Sequence, residues 1–160
     1  MIRLSKLTDY GLVLMGHVAR NKKRTLHTAR DLAMESGLPV PTVSKLLRIL
    51  QQGGFLVSQR GIKGGYSLAR DPQEISVSDI IAALEGPVAL TDCSTDITGL
   101  CDFERACPIK HNQQIINRVV RGALEKLTLS DLVHPLQVTA IKGPSGNFIP
   151  TLSLTSGRAQ

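Results

Sequence analysis

Three cysteines lie close together in the middle of the chain, and they are the only cysteines in its 160 residues. Seven residues separate Cys93 from Cys101, and five separate Cys101 from Cys107, in a loop-like stretch with little apolar content. Clustered thiols bind soft metals or take part in redox chemistry, whereas scattered buried cysteines behave as small apolar residues. Because all three lie within a span of 15 residues, the spacing favours a metal site.

Zinc, an iron–sulfur cluster and a reactive thiol are the three chemistries open to such a loop. Structural zinc takes four ligands and often uses closely spaced cysteine pairs, which are absent here. Wider spacing suits a cluster, whose iron atoms take thiolates from several directions. A reactive thiolate needs a positive neighbourhood, but this loop carries four acids and one arginine, and it lacks a Cys-x-x-Cys pair. Zinc and a cluster therefore stay open, and no enzymatic activity is predicted.

The charge of the chain is divided between its two parts. Residues 1–70 contain 12 Lys and Arg against 3 Asp and Glu, whereas residues 71–160 contain 7 against 10, for a net charge of +6. From Asp71 to Glu104 there are eight acids and no basic residue. A basic region predicts a polyanionic partner, most often nucleic acid, although a basic surface without any partner is the plainer alternative.

A helix-turn-helix pattern occupies the basic region. Apolar residues at helical spacing predict a first helix over residues 4–20. A second helix begins at Thr28, a capping residue, and ends at Gly37. Pro41 suits the first turn of a third helix, which ends at Gly53. Two helices joined by a tight turn, the second led by small polar residues, are typical of DNA-binding proteins.

A β-hairpin with a basic tip follows these helices. Residues 55–60 and 66–69 read as strands on either side of a glycine-rich turn, and a fourth helix runs from about Ile75 to Gly86. The predicted fold class is mainly α, an α+β winged helix-turn-helix followed by a long C-terminal dimerisation helix. Double-stranded DNA is the predicted partner. The alternative is a helix-turn-helix that serves only in packing and does not bind DNA. The predicted DNA-binding residues are Thr42, Ser44, Lys45 and Arg48 on the third helix, and Arg60 and Lys63 on the wing.

A long helix after the cysteines predicts self-association. Its apolar stripe must be buried against another surface, and a second copy of the chain is the simplest partner, so a homodimer is expected. The stripe consists of Ile109, Ile116, Val119 or Val120, Ala123 and Leu127.

The chain divides into a DNA-binding domain (1–87), a cysteine loop (88–107), a dimerisation helix (108–133) and a flexible tail (134–160). No apolar run is long enough to span a membrane, and the N-terminus lacks a signal peptide, so we expect a cytoplasmic protein without a membrane partner or a small-molecule substrate.

These motifs together resemble a known family. The sequences Leu7-Thr8-Asp9-Tyr10-Gly11 and Ser58-Gln59-Arg60-Gly61, then Gly64 through Arg70 and the three cysteines, are similar to those of the winged-helix regulators that include IscR and NsrR. The segments 84–93 and 117–131 most resemble the branch that regulates the SUF iron–sulfur assembly operon. The resemblance covers residues 1 to about 133.

The resemblance implies a homodimer in which each subunit carries an iron–sulfur cluster. Cys93, Cys101 and Cys107 would be ligands. In relatives similar to NsrR the aspartate at the position of Asp9 ligates the cluster from the other subunit, which suits a [4Fe–4S] cluster, while [2Fe–2S] remains possible. In relatives similar to IscR a histidine lies three residues after the last cysteine, where this chain has Lys110.

The function that the resemblance implies is a repressor of SUF genes that senses cluster status. Two alternatives remain open from the sequence. One is a nitric oxide or redox sensor of the same family that controls detoxification genes. The other is a zinc-stapled interaction module that does not bind DNA.

Two departures from the family pattern bear on the cluster type. His111 lies one residue later than the histidine ligand of relatives similar to IscR, and seven residues separate the first two cysteines where five is usual.

Overall fold

A computed structural model describes residues 3–21, 26–61, 63–95, 97, 99–142 and 148–153. The order of elements confirms the predicted fold class. No helix within these ranges is long and apolar enough to cross a membrane. The helices are α1 (Lys6–Arg20), α2 (Ala29–Ser36), α3 (Val40–Gln52), α4 (Val77–Glu85), α5 (Lys110–Lys126) and α6 (Leu129–Val133), with single 3₁₀ turns at Pro72–Glu74 and Asp92–Ser94. The strands are β1 (Leu56–Gln59), β2 (Gly65–Leu68), β3 (Gln137–Lys142) and β4 (Phe148–Ser153).

The predicted capping residues set the boundaries of α2. The Thr28 side chain accepts a hydrogen bond from the Asp31 backbone N–H at 3.1 Å, and the Asp31 carboxylate accepts one from the Thr28 N–H at 3.3 Å. This capping box satisfies two helix donors that would otherwise lack partners. At the other end Gly37 adopts φ 71°, the left-handed conformation that suits glycine. The turn between α2 and α3 is therefore fixed locally by the sequence.

The core is built mainly from one face of α3 against α1 and α2. Val43, Leu46, Leu47 and Leu50 are all completely buried, as their helical spacing predicts. They pack with apolar residues of α1, such as Leu14, and with others from α2 and α4. Fully burying a side chain of this size contributes roughly 1.5–3 kcal/mol. This packing fixes the rotation of α3 and turns its polar side to solvent.

The wing is an antiparallel hairpin with an isolated β-bridge to the segment before α2. β1 and β2 pair with Leu56 opposite Leu68, and the backbone of His27 exchanges two hydrogen bonds of 2.8 Å with Tyr66. At Gly65, a Cβ atom would lie only 2.8 Å from the His27 carbonyl oxygen. Glycine is required there because the segment before α2 passes too close for any side chain.

Helix α4 packs across α1 and ends on its N-terminus. Gly11 of α1 allows this approach, since a Cβ atom there would clash with Leu84 of α4. The Glu85 carboxylate accepts a hydrogen bond from the Ser5 backbone N–H at 2.6 Å. Ser5, through its hydroxyl and its backbone N–H, lowers the pKa of Glu85. A negative charge at this point also complements the positive end of the α1 dipole.

The long predicted helix is α5, and a second, short helix follows it. We expected the helix to run from Pro108 to Leu127 within a dimerisation region of residues 108–133; α5 runs from Lys110 to Lys126, and α6 starts at Leu129. Thr128 forms a capping box with Asp131, and such a cap starts a new helix rather than continuing the old one. Hydrogen bonds from the Val77 N–H to the Leu127 oxygen and from the Leu129 N–H to the Ile75 oxygen, both 2.8 Å, return the chain to the DNA-binding domain.

The expected flexible tail also contains regular structure. Where the sequence predicted an irregular segment over residues 134–160, β3 and β4 form an antiparallel hairpin that pairs Gln137 with Ser153 and Lys142 with Phe148. Residues 143–147 and 154–160 lie outside the described residues. The signal was present, because two runs rich in β-branched residues flank a segment of Gly, Pro, Ser and Asn. The flexibility of this tail stays a prediction.

The Glu85 contact predicts a pH-dependent contribution to stability. Its pKa is lowered in the folded chain, so the carboxylate stabilises the fold above the unfolded pKa near 4.5, and this stability is lost as the pH falls through the folded value. We expect Glu85→Gln to lower the free energy of unfolding by about 0.5 kcal/mol at pH 7, a modest value because the carboxylate is exposed. The difference should shrink towards pH 3 in urea denaturation.

Glu74→Gln is the matched control, since Glu74 is an exposed acid in the 3₁₀ turn before α4. Its stability should follow that of the wild type at every pH. A constant offset between Glu85→Gln and the wild type from pH 7 to pH 3 would contradict the assignment.

Candidate functional site

The polar side of α3 is the surface available for contact with DNA. Ser44, Lys45 and Arg48 are exposed, and Thr42 is half-buried. They alternate with the buried leucines of the same helix, so the packing that buries one face presents the other. No acidic residue lies in the first turn of α3, so nothing offsets the positive end of its dipole. The four residues predicted to contact DNA thus share one helix surface, and their role in binding stays a prediction.

The tip of the wing carries two exposed basic side chains, Arg60 and Lys63. Glycines let the backbone turn tightly between them: Gly61 has φ 119°, and the Gly64 N–H donates to the Gly61 carbonyl oxygen at 2.9 Å. A Cβ atom at Gly64 would overlap the Gln59 carbonyl oxygen. The turn therefore needs glycine and leaves the two cations at its edge.

A side-chain hydrogen bond joins the wing to α3. The Gln51 Nε2 donates to the Ser58 Oγ at 3.0 Å, linking the end of α3 to the middle of β1. Behind it, the Arg70 guanidinium lies 5.7 Å from the centre of the Phe55 ring. These contacts limit how far the wing can move relative to α3. A fixed position of the wing is needed if the wing and α3 are to contact the same DNA duplex.

The three cysteines line one cavity. Cys93, Cys101 and Cys107 are half-buried free thiols on the wall of an open cavity of about 650 Å³. Much of the remaining wall is apolar and includes Phe103 and Ile109. Cys93 lies in the 3₁₀ turn and Cys107 lies three residues before α5. Separate parts of the loop thus bring their sulfur atoms to one space, as the predicted site requires.

Three thiols on one cavity wall are donors that soft metal ions and iron–sulfur clusters both use. An iron–sulfur cluster takes thiolates at separated iron atoms and prefers an apolar surrounding. The donor set of three thiols around a shared apolar cavity fits a cluster.

Helix α5 holds the first cysteine in place through two amide side chains. The Gln114 Nε2 donates to the Cys93 carbonyl oxygen at 3.2 Å. The Asn117 Oδ1 accepts from the Leu90 N–H at 2.9 Å, and its Nδ2 donates to the Val88 carbonyl oxygen at 3.3 Å. The Thr91 hydroxyl lies 3.3 Å from the Cys93 sulfur. The 3₁₀ turn and the backbone just before it are thereby attached to α5.

An ion pair attaches the other part of the loop to the start of α5. The Glu104 carboxylate accepts from the Lys110 ammonium at 2.9 Å and from the Gly99 N–H at 2.8 Å. The Lys110 hydrogen bond lowers the pKa of Glu104, and the same bond raises the pKa of Lys110. Lys110 also lies within electrostatic range of Cys93 and Cys101. It therefore brings a positive charge to an otherwise acidic loop.

The predicted fourth ligand is not brought to the cavity of its own chain. Asp9 is exposed in the first turn of α1 and is not part of the cavity wall. Lys110, at the position of the IscR-like histidine, is engaged with Glu104, and His111 is exposed and outside the cavity wall. Within one chain the structure thus assembles three of the four predicted ligands. The wall of the cavity also includes Asp92, a carboxylate residue next to Cys93.

Gln114, Asn117 and the Glu104–Lys110 pair were missed as site residues by the sequence analysis. Asn117 was read as lying off the apolar stripe of α5, yet it is only 8% exposed. The spacing of Gln114 and Asn117 places them on one helix face, which is a detectable signal. Their partners are backbone groups about 21 to 29 residues earlier, however, and such partners leave no mark in the sequence.

Known proteins share this architecture. Residues 4–135 match the profile of the Rrf2 family, described as iron-dependent transcriptional regulators. The chain belongs to the Rrf2 family. It is therefore a DNA-binding transcriptional regulator, as the resemblance predicted, and its relatives are regulators rather than enzymes.

Individual relatives agree with this assignment. The HTH-type transcriptional regulator NsrR of Shouchella clausii (strain KSM-K16) is 26% identical over 132 residues, which is 82% of this chain and 89% of that protein. CymR (YrzC), the global cysteine regulator of B. subtilis, matches with a TM-score of 0.66 and 26% identity over 83% of this chain and 97% of that chain. IscR of T. potens matches with a TM-score of 0.64 and 29% identity over 82% and 86%.

The ion pair between Glu104 and Lys110 should make the loop open more slowly than in a variant that lacks the pair. Glu104→Gln removes the charge that Lys110 contacts and weakens the acceptor for the Gly99 N–H. We expect faster hydrogen exchange at Gly99 and its neighbours, measured by mass spectrometry on the cluster-free protein. Glu125→Gln is the control, because it breaks the pair with Arg121 at 2.8 Å on the same helix but outside the loop. Equal exchange in both variants would show that the ion pair does not hold the loop.

The exposed face of α3 predicts a specific loss of DNA affinity. Lys45→Ala should weaken binding to a duplex selected in vitro for the wild-type protein, and should reduce the slope of log affinity against log salt by about one ion. Fluorescence anisotropy at several salt concentrations measures both. Lys126→Ala, an exposed lysine at the end of α5, should change neither quantity. Similar losses in the two variants would remove α3 from the interface.

Proposed function

We propose that the protein is a homodimeric repressor of iron–sulfur cluster assembly (SUF) genes that senses cluster status through its own bound cluster. It acts in the cytoplasm on double-stranded operator DNA. The observation that carries the proposal is the shared cavity of Cys93, Cys101 and Cys107 at the start of α5. Three free thiols in one apolar-walled space are the donor set that iron–sulfur clusters use. The iron-dependent regulators of its family are consistent with that chemistry.

The apolar side of α5 supports the dimer. Four large apolar residues on this helix or just before it are between 41% and 67% exposed. An exposed apolar stripe of this kind marks a protein contact, and a helix stripe that is its own partner closes a two-fold dimer. Residues 108–133 then form the dimerisation segment, with α6 returning to the DNA-binding domain. The four residues are Ile109, Ile115, Ile116 and Val119.

The dimer supplies a route to the missing ligand. Asp9 is exposed on α1 and absent from the cavity of its own chain. In the proposed dimer it reaches the cluster of the other subunit, as the resemblance to NsrR implies, and completes a set of three thiolates and one carboxylate. That set favours a [4Fe–4S] cluster over [2Fe–2S]. A cluster held between subunits makes the dimer geometry depend on the cluster.

Loss of the cluster changes DNA binding in this proposal through the spacing of the two winged helices. Half-site spacing on DNA is a fixed geometric requirement of a symmetric dimer, so a small shift of one subunit against the other weakens binding. A coupling of about 1–3 kcal/mol corresponds to a roughly 5- to 150-fold change in affinity. Cells short of clusters would then release the operator and express the assembly genes.

A second candidate function is a nitric oxide or redox sensor that controls detoxification genes. The likeness to NsrR at 26% identity favours it, and the ligand set would be the same. The two functions differ in which reagent destroys the cluster at low dose and in which genes the operator precedes. The zinc-stapled module would use the same three thiols with a fourth ligand, and metal analysis distinguishes it from a cluster.

Anaerobic purification and DNA binding test the proposed function together. We expect a brown protein that contains iron and acid-labile sulfide, with visible absorption that Cys93→Ala abolishes. The cluster-loaded wild type should bind the selected duplex roughly 5- to 150-fold more tightly than the cluster-free wild type and the Cys93→Ala variant. Ser94→Ala, at the position adjacent to Cys93 but outside the wall of the cysteine cavity, is the control and should keep both colour and affinity.

Two results would contradict the proposal. A colourless preparation with one zinc per chain would replace the cluster with a structural ion. Equal affinity of the cluster-loaded and cluster-free forms for the same duplex would leave a DNA-binding protein without the proposed sensor.

A further inference from the structure

One polar side chain lies in the middle of a helix that is otherwise open to solvent. Within α5, all of whose residues the structure describes, Asn117 alone is buried, with 8% of its surface exposed. Buried polar groups cost free energy unless they are hydrogen-bonded, so a buried amide needs partners at both ends. Asn117 has them: its oxygen accepts from the Leu90 N–H and its nitrogen donates to the Val88 carbonyl oxygen.

The segment that Asn117 holds is the link between two functional parts. Residues 86–91 join the end of α4 in the DNA-binding domain to the 3₁₀ turn that carries Cys93. One turn earlier on α5, Gln114 donates to the Cys93 carbonyl oxygen at 3.2 Å. Two side chains on one face of α5 therefore hold consecutive points of the same segment, at the entrance to the cysteine cavity.

This geometry makes sliding between α5 and the linking segment costly. If α5 moved independently, the Leu90 N–H, the Val88 oxygen and the Asn117 amide would all lose their partners in a partly buried place. Exposed contacts elsewhere on α5, such as the pair of Arg121 with Glu125, would not be affected. A displacement of the Cys93 turn is thus passed to α5, and through the same segment to α4.

We propose that Asn117 is the positioning residue that couples the cysteine cavity to the placement of the DNA-binding domain, with Gln114 in support. The inference rests on the proposed function, which supplies the two cluster states. It adds that the signal passes through one amide and its two backbone partners. Without that amide the cluster still binds, but its presence no longer changes the affinity for DNA.

Asn117→Asp is the sharpest variant, because it keeps the shape and the acceptor for Leu90 but loses the donor to Val88. The matched control is Asn112→Asp, which makes the same charge change at an exposed position of the same helix. Both variants are loaded anaerobically and titrated with the selected duplex, with and without cluster. We expect the ratio of the two affinities to fall below about twofold in Asn117→Asp and to stay in the wild-type range of roughly 5- to 150-fold in Asn112→Asp.

Iron content and the visible spectrum of Asn117→Asp distinguish a loss of coupling from a loss of cluster binding. Wild-type values in Asn117→Asp together with a lost ratio support coupling. An unchanged ratio, or loss of the cluster itself, overturns the proposal. Gln114→Ala, which removes only the contact to the Cys93 oxygen, should reduce the ratio less, and it remains informative if Asn117→Asp fails to fold: an unchanged ratio in Gln114→Ala then counts against coupling.

A measurement without a cluster separates this inference from the proposed function. In the cluster-free wild type, binding of the duplex should slow hydrogen exchange at residues 88–93 and in α5 together, because the amide joins them. In Asn117→Asp the protection at residues 88–93 should be lost. If the wild type shows no effect of the cluster on affinity but keeps this exchange pattern, the proposed function fails and the coupling stands. Equal protection in both proteins overturns the coupling.

Discussion

The hydrogen bonds between the Asn117 amide and residues 88–90 are the constraint on which the cysteine site depends. They fix the segment before Cys93 against α5, while the Glu104–Lys110 pair fixes the segment before Cys107 against the first turn of the same helix. Both parts of the loop are thus attached to the same helix, α5. The cavity owes its shape to α5, although most of its wall comes from the loop.

The division of charge follows the same architecture. The basic residues of the first 70 positions include the exposed side chains of α3 and the wing, where a phosphate backbone would lie. The eight acids between Asp71 and Glu104 are found at the 3₁₀ turn before α4, in α4 and throughout the cysteine loop, and their negative charge disfavours contact of this region with phosphate. Lys110 is the local exception, and its ammonium is shared with Glu104 close to two thiols.

Several elements were predictable because their causes are local. The capping pair Thr28 and Asp31, the left-handed Gly37 and the leucines of α3 act within one or two helical turns, so the sequence alone indicates them. The glycines of the wing were also recognised. The reason for Gly65 was not, since it depends on His27, which approaches from 38 positions earlier in the chain.

By itself, the sequence determined the winged helix-turn-helix, the basic surface of α3 and a set of three clustered cysteines. Only the tertiary structure decided that a second helix, α6, follows α5, because the return of Leu129 to the core beside Ile75 depends on backbone partners much earlier in the chain. It also decided that Asn117 is buried and that Asp9 lies away from its own cavity. The physical reason is the same in each case. Periodicity and capping are read from neighbouring residues, whereas burial and hydrogen-bond partners depend on segments that only folding brings together.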